Sequence, residues 1–220
     1  MRKNLYALGI FIALMIAFLA IHFNQQGSPE RIIIDGISWS RVLFWQFKNG
    51  FYPNGWSWGN WSLTEWGLQG SSEGEMIVYF FPFTHGKDFV LETKVKFLER
   101  TKTRDVEAQL LTRDSSDIYC ESGMVLFASV NRVTIRYLIN KTNYIYTTFN
   151  INQNISYNEW YIMRFLVYNG RIKAFVNDLQ VCALDKTLPA DGIYKQPHLA
   201  VCHGTAIFDY VKIFVPTEED

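Results

Sequence analysis

Four of the chain's seven tryptophans, Trp56, Trp58, Trp61 and Trp66, fall within 11 positions of the stretch FYPNGWSWGNWSLTEWGLQG, residues 51–70. Indole rings bury a large apolar area at low entropy cost, so such a cluster suits a core or a surface that holds the flat apolar side of a sugar. Trp56 and Trp58 stand two apart and share a face if the chain is extended there. Pro53, Asn54, Gly55 and Gly59 make their surroundings read as a loop.

Acid chemistry needs paired carboxylates, which retaining glycosidases hold about 5–5.5 Å apart. Strand positions two apart supply that separation, and Asp105 and Glu107 have it. They also read as the solvated start of a strand. Glu73 with Glu75, and Asp114 with Asp117, sit in loop-like sequence, and Glu218-Glu219-Asp220 is a terminal tail. The four histidines, His22, His85, His198 and His203, are scattered, and neither G-x-S-x-G nor H-E-x-x-H occurs, so nucleophilic or zinc chemistry has no support.

The elements that would position these residues are short strands. Hydrophobic residues make up 49% of the 220 and aromatics 16%, ample for a core, while a net charge of zero lacks the basic footprint of a nucleic-acid binder. Met1-Arg2-Lys3-Asn4 precede 19 residues, Leu5 to Phe23, that carry no formal charge. As a helix this run spans about 28 Å, close to the hydrocarbon thickness of a bilayer. Phe18-Leu19-Ala20 has a bulky residue where signal cleavage wants a small one. Residues 1–23 therefore read as a membrane anchor, with a cleaved signal as the alternative. The basic pair before the run puts the N-terminus in the cytoplasm and the remainder outside the cell. A polar linker, 24–30, leads to one domain, 31–216, and an acidic tail, 217–220.

Cys120, Cys182 and Cys202 give an odd count, against a disulfide framework. Cys182 and Cys202 each end an apolar run and could lie on neighbouring strands, or all three could be buried thiols. About twelve runs rich in β-branched and aromatic residues predict strands. They are Arg31–Ile34, Trp61–Leu68, Glu75–Phe81, Phe89–Phe97, Val106–Thr112, Gly123–Ala128, Arg132–Ile139, Tyr144–Asn150, Trp160–Tyr168, Arg171–Val176, His198–Val201 and Thr205–Val215. Without crossover helices they imply an antiparallel sandwich or barrel. Met76 to Phe81 is apolar on both faces and predicts a central strand. Glu92, Lys94 and Lys96 alternate with apolar neighbours and predict one solvated face. Asn169-Gly170 predicts a tight hairpin, and Val201-Cys202-His203-Gly204-Thr205 a second one.

Three pieces in fixed order carry a resemblance. Phe47 to Gly70, with its F…G…W…G.W…G.L.G pattern, resembles the opening of concanavalin A-like jelly-roll domains. Asp88-Phe-Val-Leu-Glu-Thr-Lys-Val-Lys-Phe97 resembles one of their strands. Glu159 to Asp178 followed by Gly204-Thr-Ala-Ile-Phe-Asp-Tyr-Val-Lys-Ile213 is similar to the ending of laminin G-like modules and of domains related to family-16 glycoside hydrolases. The resemblance spans residues 40 to 215 and implies an all-β, two-sheet antiparallel jelly roll behind the N-terminal helix. It implies that Trp61 is core, and that the ligand surface is a concave face or rim to which Trp56, Trp58, Trp66, Tyr119, Arg136, Tyr144 and Tyr146 are candidates. The enzymes of this superfamily carry an E-x-D-x-x-E-like run; after Glu107, Ala108-Gln109-Leu110-Leu111 lacks its third acid. A structural calcium on Asp209, within Phe208-Asp209-Tyr210-Val211, is also implied. Sequons at Asn60, Asn140 and Asn154 mark glycosylation positions compatible with export.

The expected function is thus a membrane-anchored, non-catalytic binding module for a glycan or cell-surface polymer. The alternatives are a cell-envelope assembly protein that docks another protein through a sandwich face, and a diverged glycoside hydrolase.

Overall fold

The computed structural model describes residues 30–48, 55–100, 104–113, 121–140, 143–185 and 194–217. The expected anchor (1–23) and most of the linker lie outside them. Among the described residues no helix is long and apolar enough to cross a membrane.

The described residues form strands β1 (Arg31–Ile34), β2 (Ile37–Gln46), β3 (Trp56–Trp58), β4 (Asn60–Thr64), β5 (Gly67–Ser72), β6 (Ile77–Phe80), β7 (Thr84–His85), β8 (Phe89–Arg100) and β9 (Glu107–Arg113). There follow β10 (Glu121–Phe127), β11 (Arg132–Asn140), β12 (Asn143–Asn150), β13 (Trp160–Tyr168), β14 (Arg171–Val176), β15 (Leu179–Asp185), β16 (Tyr194–Cys202) and β17 (Gly204–Pro216). They make two antiparallel sheets packed as a sandwich, as the sequence implied. The nine-stranded sheet runs β1-β2-β17-β8-β13-β14-β15, with β5 paired to the first half of β17 and β4 to β5. The eight-stranded sheet runs β12-β11-β10-β9-β16-β6-β3, with β7 on β16.

Period-two alternation fills the space between them. Phe89, Leu91, Val95 and Phe97 of β8 meet Tyr79 of β6, Leu110 of β9, Leu126 of β10 and Ile135 of β11 in one buried cluster. Burying this many large side chains, each worth about 1.5–3 kcal/mol, drives the fold.

Tight turns fix the registers. Asn169-Gly170 has positive φ at both residues, 48° and 74°, the turn that its sequence predicts. Asp35-Gly36 makes the same turn, with φ of 55° and 79°, between β1 and β2.

Four details depart from the sequence reading. The predicted strand Trp61–Leu68 is a hairpin, broken at Glu65-Trp66. Gly67 adopts φ +146°, and a Cβ there would stand 2.1 Å from the Phe208 carbonyl oxygen. The turn at His203-Gly204 joins β16 to β17 in different sheets, so it is a crossing and not a hairpin. Cys182 and Cys202 are buried free thiols on β15 and β16, one in each sheet, and so are not on neighbouring strands. Finally β6 is second from a sheet edge, and its outer side is covered by Trp56 stacked on Phe80 with ring centroids 3.9 Å apart.

The hairpin β1–β2 leans back over the outer side of its own sheet. Ile32, Ile34, Ile37 and Trp39 pack there on Val90, Leu166, Phe175 and Phe214 as a second small core. Lys173 Nζ meets the Asp35 carboxylate at 2.5 Å and ties the turn to β14.

Candidate functional site

Register, not sequence proximity, assembles the candidate residues. On the outer face of the eight-stranded sheet, cross-strand partners form a row that runs through all seven strands of its main path. Trp56 lies opposite Phe80, which lies opposite His198, then Leu111, Gly123, Arg136 and Tyr146. With strands about 4.8 Å apart the row is roughly 29 Å long. The next row runs Trp58, Val78, Ala200, Gln109, Val125, Thr134 and Thr148.

The two rows are closed in the middle and open at the ends. His198 and Leu111 are fully buried. Trp56 and Trp58 at one end are 50% and 60% exposed, and Tyr146 at the other is 54% exposed. The His198 ring packs on Phe80 at 4.8 Å, behind the Trp56–Phe80 stack. Arg136 is buried and places its guanidinium carbon 5.6 Å from the Tyr146 ring centre. Thr134 and Thr148 share a hydroxyl hydrogen bond of 3.0 Å.

Glu107 stands on this face too, opposite Cys202 and Phe127. Two residues on, Gln109 donates its amide to the Glu107 carboxylate at 3.1 Å and to the Cys202 sulfur at 3.5 Å. Burial, with the Glu107 charge adding to it, pushes the Cys202 thiol up to about 12, so it is no nucleophile at neutral pH. Asp105 precedes β9, outside any strand. Glu73 and Glu75 lie in the bend after β5, and Asp114 and Asp117 fall outside the described residues.

Other candidates go elsewhere. Trp61 turns inward against Tyr79 and Phe208, as the resemblance implied, and its Nε1–H donates to the Trp58 carbonyl at 3.3 Å. Trp66 is 51% exposed but belongs to the nine-stranded sheet, where the Lys96 ammonium lies 5.1 Å from its ring centre. The two-residue turn before Gly67 sends it there. Tyr144 does not leave the face: two positions before Tyr146 on β12, it pairs with Leu138 in the row next to Arg136 and Tyr146, whereas Tyr119 and Cys120 lie outside the described residues. Asn60 is exposed on β4, Asn154 is exposed in the segment before β13, and Asn140 ends β11.

The residues around Asp209 do not fit a calcium. Its carboxylate is buried, with Lys48 Nζ at 3.3 Å and Lys94 Nζ at 3.9 Å. Calcium asks for 6–8 oxygens, whereas two ammonium groups here already balance the one acid. No cluster of three or more His, Cys, Asp or Glu occurs among the described residues.

Sequence reasoning missed the register row itself and the burial of His198 and Leu111 at its centre. Trp39 and the β2 strand were missed as well. The Asp35-Gly36 pair between isoleucine runs was the available signal for β2.

No model of a known protein family matches the sequence, and no curated protein matches it either. Solved structures do. A carbohydrate-binding module of Bacillus subtilis, CBM66, is 20% identical with a TM-score of 0.59, covering 72% of this chain and 94% of its own. The endo-β-1,3-glucanase of Pyrococcus furiosus is 12% identical with a TM-score of 0.68, covering 87% of this chain and 100% of its own. The laminarinase catalytic domain of Thermotoga maritima is 11% identical with a TM-score of 0.64, over 82% and 99%. At these identities the likeness is one of fold alone, the two-sheet antiparallel sandwich that these structures share with the chain.

Proposed function

We propose that the chain is a non-catalytic binding module, displayed outside a membrane on the segment 5–23, that takes up a glycan or another surface polymer. The ligand meets the outer face of the eight-stranded sheet at its exposed end, on Trp56 and Trp58. One observation carries the reading: Trp56 and Trp58 share a three-residue edge strand with half or more of their surface in solvent, and Trp56 rests flat on Phe80. A ring already held by a neighbour loses little freedom when a ligand binds, which favours affinity. Arg136 and Tyr146 mark the far end of the same row. Similar structures that are named for carbohydrate binding and for glucan cleavage favour a sugar polymer. The non-catalytic part rests on Gln109, an amide on β9 where the second carboxylate of a same-face pair would stand.

Glycan arrays and polysaccharide pull-downs with the full-length chain test this. Trp56→Ala with Trp58→Ala should weaken binding at least about tenfold, the equivalent of about 1.4 kcal/mol. Binding equal to the parent's sinks the tryptophan strand as the site.

A second reading, docking of a protein through the nine-stranded sheet, is favoured by the exposed Ile33, Val42 and Phe44 on β1 and β2. It expects a co-purifying partner or self-association without sugar affinity. A diverged hydrolase would instead show β-glucan cleavage that vanishes in Glu107→Ala.

A further inference from the structure

The leaning hairpin β1–β2 encloses space. Between it and the β13–β14 hairpin lies a pocket of about 380 Å³. Ile34, Ile37 and Trp39 line it from the first hairpin, and Leu166 and Tyr168 from β13. Its size falls in the range of ligand pockets, roughly 300–1,000 Å³, and its lining has their character, an apolar majority with a few placed polar groups.

We infer that this pocket is a second ligand site, for a small apolar carboxylate, on the sheet opposite the polymer face. Two observations on the lining select that chemistry. Trp39 is wholly buried and edges onto Tyr168 at 5.6 Å, and its indole Nε1–H has no hydrogen-bond partner. A buried donor without an acceptor is costly, and a ligand oxygen that enters beneath the β1–β2 hairpin, displacing the cover over Trp39, relieves it. The second is the charge count. Arg171 and Lys173 stand two apart on β14 and so share a face, and Asp35 is the one acid among the lining residues.

Those two cations are held unequally. Lys173 is tied to Asp35 at 2.5 Å. Arg171 meets Asp185 at 3.5 Å, with the two side chains 69% and 87% exposed, a pairing worth little in water. A carboxylate at the pocket mouth therefore gains Arg171 at small cost and competes with Asp35 for Lys173. Its apolar body takes the place of water against Ile34, Ile37 and Leu166. An uncharged molecule of the same shape gains the second effect and not the first.

The test is calorimetric titration of the full-length chain with 1-naphthoate and with its neutral isostere 1-naphthamide. The acid should bind about tenfold tighter than the amide, and Arg171→Gln should erase most of that difference. Arg171 is exposed, so this variant folds like the parent, which thermal unfolding checks. Trp39→Phe keeps a ring and removes the N–H, and should weaken naphthoate several-fold. If Trp39→Phe fails to fold, Arg171→Gln decides alone. Absence of binding at millimolar naphthoate overturns the inference. So does an amide that binds as well as the acid, or an Arg171→Gln chain that discriminates as the parent does. Loss of naphthoate binding in Trp56→Ala with Trp58→Ala would place the ligand on the other sheet and overturn it equally. Failure of polymer binding leaves this result untouched, since the two sites share no residue.

Discussion

Trp56 and Trp66 are equally exposed, at 50% and 51%, yet one lies on the outer face of the eight-stranded sheet and the other on that of the nine-stranded sheet. Their neighbours differ in kind. Trp56 rests on Phe80 in a row whose open groups sit at its ends. Trp66 shares Lys96 with Trp160, Lys94 lies 5.2 Å from the Trp160 ring centre, and Lys212 lies between Tyr210 and Phe44. Acids hold two of those lysines: Asp209 binds Lys94 together with Lys48, and Glu30 binds Lys212 together with Arg41. Burial disfavours the Glu30 charge, but Lys212 and Arg41 outweigh it and hold its carboxyl below the usual range. The same residue types thus make a lattice of ion pairs and ammonium–ring contacts on one sheet, and a row with solvent-exposed rings at its ends on the other. Composition cannot tell the two apart; strand register and exposure do.

The largest expected effect tests whether the lattice is structural. Arg164 grips the buried Glu92 with Nε at 2.7 Å and Nη2 at 2.6 Å, and reaches Asp178 with Nη1 at 2.6 Å. Burial opposes the guanidinium charge, yet Glu92 and Asp178 more than compensate and raise its pKa. Arg164→Met strands the Glu92 carboxylate and should cost about 3 kcal/mol in urea unfolding, the low end for a broken buried pair. The low end applies because Tyr210 still donates to Glu92 at 2.9 Å and Lys212 stays at 3.6 Å. Adding Glu92→Met should recover part of the loss, because no charge is then left buried. A cost near zero for Arg164→Met would make this face an ordinary solvated surface and erase the contrast.

The second effect lies beneath the eight-stranded sheet. Burial pushes His85 down to about 4, against a smaller upward pull from the Gly86 carbonyl, and its Nε2 meets the Thr112 hydroxyl at 3.0 Å. The unfolded chain binds this proton below about 6.5 and the folded chain only near 4. Stability is therefore intact above pH 6.5 and falls as pH drops toward 4. The slope approaches about 1.4 kcal/mol per unit, or roughly 2 kcal/mol between pH 6.5 and 5. Chemical denaturation at a series of pH values should show that slope, and His85→Gln should flatten it. Polymer binding on the outer face should not follow the same curve while the chain stays folded. A shared curve would couple core and face, contrary to the division drawn above.

How much of this was legible depended on whether a single strand or its neighbours held the information. β1, β13 and β14 were readable to the residue, because alternation and an Asn-Gly turn are local signals. Glu92, Lys94 and Lys96 were rightly placed on one face, but the burial of Glu92 depends on Arg164, 72 positions away. β2 was not read at all. Its first half packs on the small outer core and its second half alternates, so ISWSRVLFWQ shows no single period. Trp56 and Trp58 sharing a face was readable from their spacing. That Arg136 and Tyr146 lie in the Trp56 row was not, since it depends on six successive strand registers. Asp209 carried a motif-like context, and the motif could not show that Lys48 and Lys94 would meet it.

The smallest expected effect separates the two roles within one tryptophan cluster. Trp61 edges onto Tyr79 and Phe208 across the main core, whereas Trp58, three residues earlier, is the most exposed tryptophan among the described residues. Trp58 pairs across to Val78, and its backbone carbonyl, which accepts from Trp61 Nε1, does not depend on its side chain. Trp58→Ala should then change unfolding free energy by no more than about 0.5 kcal/mol, the usual range for a surface position. Any loss of polymer binding in this variant is thereby a loss of contact and not of fold. A destabilisation several times larger would mean that Trp58 covers Val78 and Ala200 as structure. The eight-stranded sheet would then resemble its partner, with aromatic rings serving the sandwich on both sides. The exposed pair would in that case be the rim of a covered face, and the polymer would have to be sought at Tyr146 and Arg136.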